Sequence, residues 1–105
     1  MSVTMTAVSN PRDKNRSDRV LALSFPGPAS YTNPGPTGGE SADFEADLGT
    51  AEPEATIRCE NLERTHFGEW DTVNQVWRLF TGGAEVANGV NLSAITFQAV
   101  VLLPY

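Results

Sequence analysis

The chain has 105 residues, 40% of them hydrophobic, with a mean hydropathy of −0.24, a formal net charge of −6 and a pI near 4.5; that is one small domain by length. The acidic balance argues against nucleic acid or an anionic membrane as partner, since both require a basic face. A single cysteine, Cys59, excludes an internal disulfide framework or a cysteine-rich zinc site, no apolar run reaches the length of a membrane span, and the first residues lack the pattern of a signal peptide, so the expectation is a soluble protein made in a reducing compartment, or one that does not use disulfides.

In chain order, Val3, Met5 and Ala7 alternate with Thr4 and Thr6, which predicts a strand or extended arm over residues 2–8. Ser9–Asp18 is a polar loop rich in turn residues. Arg12, Lys14, Arg16 and Arg19 concentrate positive charge here, whereas Glu40 to Glu54 carries six acids and no base. Two solvated segments would explain this, and so would head-to-tail complementarity between copies. Residues 1–18 are therefore expected to form an arm separable from a β domain over residues 19–105, which should stay folded without it. "RVLALSF", Arg19–Phe25, predicts a strand that Pro26 and Pro28 stop.

Pro26–Gly39 holds Pro26, Pro28, Pro34 and Pro36 with four of the nine glycines. It is expected to be a long extended loop that external contacts would have to order. Its "NPGPTGGE" stretch has the glycine content of a phosphate loop. However, Pro34 and Pro36 remove two N–H donors, no lysine follows, and Glu40, Asp43, Glu45 and Asp47 would repel an anion. Phe44 and Leu48, four apart and followed by Gly49, predict one or two helical turns.

"EATIRCEN" sets Ile57 and Cys59 against Thr56, Arg58 and Glu60, an alternating strand. "FGEWDTVNQVWRLF" predicts a hairpin turning at Asp71 and Asn74, and "TGGAEVANGVNLS" a second glycine-rich loop. In "AITFQAVVLL", Ile95, Phe97, Ala99, Val101 and Leu103 share one face; this should be a central strand with the hairpin beside it. The whole predicts an all-β fold, a small sandwich or barrel of about six short strands with one minor helical turn and long Gly/Pro loops.

Chemistry is sparse. His66 is the only histidine and Cys59 the only thiol. A Cys-His pair is conceivable, yet no nucleophile turn surrounds Cys59. Cys59, Glu63, His66 and Glu69 match no zinc spacing, the acids of Glu40–Glu54 lack a calcium-loop pattern, and Glu69 with Asp71 has no accompanying acid or substrate platform. No catalytic residue, metal or cofactor is assigned. Trp70, Trp77 and Phe80 on one hairpin suit either core packing or an interface. The residues expected to contact a partner are Val3, Met5, Arg12, Lys14 and Arg16 on the arm, Tyr31, Pro34 and Pro36 in the loop, and Trp70 and Trp77 on the hairpin. Val3 and Met5 could add to the sheet edge of a neighbour.

"PTGGESADFEADLG", Pro36–Gly49, resembles a recurrent segment of small tailed-bacteriophage virion proteins, a Tyr-Pro-Thr-Gly-Gly-Glu stretch followed by a short helical turn ending in Asp-Leu-Gly. Here the tyrosine is displaced to Tyr31. "DRVLALSF" is similar to the strand before that loop, "EWDTVNQVWRLF" to the hairpin, and "AEVANGVNLSAITFQAVV" to the ending of such proteins. Each motif alone is a weak signal; the ordered set, over most of residues 19–103, carries the resemblance. It implies a non-enzymatic capsid decoration or cement protein on the outer surface of the head, made in the host cytoplasm, whose partners are the major capsid protein and neighbouring copies of itself; the small size, the aromatics and the extended loops separately predict self-association, as a trimer first and a dimer next. The alternatives are a minor tail or host-interaction module and, further off, a small metal-binding or hydrolytic enzyme using Cys59 and His66.

Overall fold

A computed structural model describes residues 3–8, 20–33 and 38–104. Its strands are β1 (Thr6–Ala7), β2 (Val20–Pro26), β3 (Glu40–Ser41), β4 (Ala55–Asn61), β5 (His66–Asp71), β6 (Val76–Thr81), β7 (Ala84–Glu85) and β8 (Thr96–Leu102), with one helix, α1 (Phe44–Leu48). They form a single antiparallel sheet in the order β1-β2-β8-β4-β5-β6-β3, with β7 on β6, curled into a half-barrel. The fold is all-β as the sequence predicts, barrel-like rather than two stacked sheets. The expected six strands are joined by β3 and β7, of two residues each.

Strand β8 shows the expected alternation: Phe97, Ala99 and Val101 are buried, and Thr96 and Gln98 are exposed. It is central, pairing with β2 from Thr96 to Leu102 and with β4 on its other side. The hairpin β5–β6 forms as expected, with Trp70 opposite Trp77, but it pairs with β4 and not with β8. The cause lies in β4, which alternation alone cannot place. A bulge between Thr56 and Arg58 adds one residue, so Thr56 opposes the inward Val101 and Ile57 turns out to solvent. The Thr56 hydroxyl then accepts the Trp70 N–H at 2.8 Å, where β4 and β5 have diverged beyond their pairing at Glu60 and Phe67.

Helix α1 is a single capped turn. Asp43 accepts the Ala46 N–H at 3.0 Å, and Gly49, at φ 68°, donates to the Glu45 carbonyl at 2.9 Å. Phe44 drops from it into an aromatic core, 4.9 Å from the Trp70 ring and 6.3 Å from Trp77, with Phe25 lying 4.9 Å from Trp77 and 5.3 Å from Phe97.

Residues 3–8 pack into this body. Val3 and Met5 are buried in the core, β1 pairs with β2, and the Val3 N–H reaches the Ser41 carbonyl at 3.0 Å. β1 and β3 are the two ends of the sheet, so residues 3–8 bridge the seam of the half-barrel. Met5 N–H adds a bond to the Asp47 carboxylate at 2.9 Å. The strand edge that was expected to add to a neighbour is thus used within the chain.

The first Gly/Pro loop is likewise ordered from inside. Gly27 donates to Ile95, Tyr31 to Val90, Leu92 to Pro28 and Gly89 to Tyr31, all at 2.8–2.9 Å, so residues 27–31 zip against residues 89–95. A Cβ on Gly27 would sit 2.3 Å from the Leu92 carbonyl oxygen, which is why the approach needs glycine. External contacts are not required for this part of the loop.

Candidate docking surface

Of the residues expected to touch a partner, Val3, Met5, Tyr31, Trp70 and Trp77 are all buried within the chain and offer no surface. The physical reason is common to them: a small half-barrel needs its largest apolar side chains to fill its interior. Arg12, Lys14, Arg16, Pro34 and Pro36 lie outside the described residues, as does Arg19. Tyr31 is a buried joint. Its hydroxyl donates to Glu85 at 2.5 Å and accepts the Leu79 N–H at 3.0 Å. Burial, and then the Glu85 carboxylate, push its ionisation well above the ordinary phenol range.

Glu40 sits opposite Trp77 in the β3–β6 pairing and is fully buried. One of its oxygens accepts the Thr32 N–H at 2.8 Å; among the described residues the other finds no hydrogen-bond partner, and neither do the indole N–H groups of Trp70 and Trp77.

Cys59 is buried beside Gly68, whose Cβ, were it present, would stand 2.7 Å from the sulfur. Burial, with the Glu60 charge adding to it, pushes the thiol up to about 12. Cys59 should therefore resist an aromatic disulfide reagent at pH 8 in the native protein and react promptly in denaturant; rapid native reaction would contradict this burial. His66 is half-buried, its Nδ1 3.0 Å from the Thr65 hydroxyl and its ring edge-on to Phe97. Among the described residues no three His, Cys, Asp or Glu side chains converge as metal ligands.

Asp71 organises the hairpin turn. Its carboxylate accepts from the Asn74 side chain at 3.0 Å, the Asn74 N–H at 3.1 Å, and Arg78 and the Val73 N–H at 2.9 Å each. The Asn74 bonds lead in holding its ionisation well below the usual carboxylate range, with Arg78 adding to them and desolvation opposing. A depressed folded-state value contributes stability above the unfolded carboxylate pKa, and that stability is lost as pH falls below about 4. Asp71→Asn should accordingly lower the urea midpoint at pH 7, with the gap to the parent narrowing towards pH 2.5. A gap independent of pH would show that the charge of Asp71 is not what matters.

The exposed surface has two features that sequence reading missed. One is the outer face of β2, β8 and β4, where Ala22 opposes Val100 and Val100 opposes Arg58. There Val8, Ala22, Arg58, Gln98 and Val100 line a shallow groove of about 160 Å³, with Val8 58% exposed and Arg58 exposed without an ion pair among the described residues. Ile57, beside it in the chain, is 54% exposed. The other is the β5–β6 turn, where Val73 is 86% exposed. The turn borders an open groove of about 600 Å³ lined by Ser41, Asp43, Glu45, Glu52, Asn74 and Gln75. The Val73 signal was legible, since an aliphatic residue at the centre of "DTVNQ" has nowhere to be buried; the outer face depended on the bulge.

No family model matches the chain, and neither do the curated proteins nor the solved structures compared with it.

Proposed function

We propose that the chain is a structural virion protein, a capsid decoration protein that binds the shell of the major capsid protein, reinforces it, and assembles there with further copies of itself. The observation that carries this reading is the ordered resemblance of most of residues 19–103 to small tailed-bacteriophage virion proteins. The segments concerned are joints of the fold: Asp43 and Gly49 cap α1, Glu40 pairs β3 to Trp77 of β6, and residues 89–95 hold the loop before the Gly-Gly-Glu stretch. Surface apolar groups on a rigid sheet also suit a protein that works by docking.

The test is particle composition. Quantitative mass spectrometry of purified, DNA-filled heads separated from tails should find the chain at copy numbers near that of the major capsid protein. Its absence from heads, or a handful of copies confined to tails, would reject the reading in favour of a tail module.

A further inference from the structure

We propose that copies of this chain associate through two different patches, the β5–β6 turn of one copy seated on the outer face of β2, β8 and β4 of the next. The inference rests on the part of the functional reading that has copies assembling. It does not depend on attachment to a capsid.

The turn is built as a fixed knob. Asp71 accepts the Val73 and Asn74 N–H groups, and Gln75, at φ 59°, donates its N–H to the Asp71 carbonyl at 2.7 Å. Val73 is thereby held out in water on a turn that has little freedom left to lose on binding. Two residues on, the Gln75 side chain donates to Glu52 at 2.6 Å and ties a carboxylate to the same turn.

The outer sheet face carries the complement. Val8, Ala22 and Val100 supply an aliphatic floor, and Arg58 supplies an exposed cation that no described acid pairs with. Charge matching selects a copy of this chain as the occupant. A chain of net charge −6 repels itself in most orientations, and setting Glu52 against Arg58 makes this one favourable. Val73 would fill the groove while the ion pair sets the register. Since the two patches differ, the contact either closes into a ring, is exchanged reciprocally in a dimer, or runs on as a filament.

Sedimentation velocity on the free, full-length protein tests this at concentrations up to hundreds of micromolar, at low and high salt. The parent should associate with concentration, more weakly at high salt. Arg58→Glu, Glu52→Lys and Val73→Asp should each lower the association constant by about tenfold or more. An equimolar mixture of Arg58→Glu with Glu52→Lys should recover association, because each variant keeps the patch the other one needs. All three positions are exposed, so the melting temperature should stay near that of the parent; if a reversal unfolds the chain, Arg58→Gln and Glu52→Gln are read in the same way. A parent that remains monomeric throughout, variants that associate as it does, or a mixture that stays apart would each overturn the proposal. Particle occupancy is a separate measurement, so failure of capsid attachment and failure of this contact are distinguishable.

Discussion

Deletion of residues 1–8 is expected to abolish cooperative folding. The deleted stretch removes Val3 and Met5 from the core, the β1 pairing with β2, and the bonds from Val3 to Ser41 and from Met5 to Asp47. Burial of two such side chains contributes about 1.5–3 kcal/mol each, and the hydrogen bonds about 0.5–1.5 kcal/mol each. The sum, roughly 4–9 kcal/mol, is an upper estimate because the unfolded chain is not fully extended. It is nonetheless comparable with the whole stability of a small domain, about 5–15 kcal/mol. Urea titration followed by tryptophan fluorescence should show a broad or absent transition, and Val3→Asp in the full chain should reproduce much of the loss. A truncated protein with the parent's midpoint would mean that the segment is an appendage after all.

Trp77→Ala is the single substitution with the largest expected cost. Trp77 is fully buried and touches the rings of Phe25, Phe44 and Trp70, so its removal opens a cavity at the meeting point of β2, α1 and the hairpin. Replacement of a core Trp by Ala costs about 3–5 kcal/mol. Trp77→Phe should cost much less, because the indole N–H makes no hydrogen bond among the described residues that phenylalanine would forfeit. Both are read from the denaturation midpoint of the free protein. Equal, small effects from Ala and Phe would place Trp77 on the surface and restore it as a contact for a partner.

What the sequence made legible was local. The alternation of Thr96–Leu102, the Gly49 stop after Phe44 and Leu48, and the turn chemistry of Asp71–Gln75 each depend on residues close together in the chain. What it hid was non-local. Whether Val3 and Met5 lie on their own sheet or a neighbour's depends on the distant Ser41 and Asp47. The order of Gly27–Tyr31 is set by Gly89–Ile95, some sixty residues away. The orientation of Ile57 turns on one inserted residue in β4, which shifts the side-chain parity without any glycine or proline to mark it. Trp70 and Trp77 were ambiguous because a tryptophan suits a core and an interface equally well. The Arg58 face emerged only when three strands distant in sequence were set side by side.

The position of β8 bears on how the chain is made. It is the last of the strands to leave the ribosome, yet it is the one that joins β2 to β4. Until Thr96–Leu102 emerges, β2 and β4 each lack their main partner, and the long hydrogen-bonding edges they will give to β8 stand open to other nascent chains. The hairpin β5–β6 can close early, because its strands are adjacent in sequence, but the sheet cannot. Closure of the sheet therefore waits until β8 has emerged, and the interval before it is when these edges are most open to aggregation.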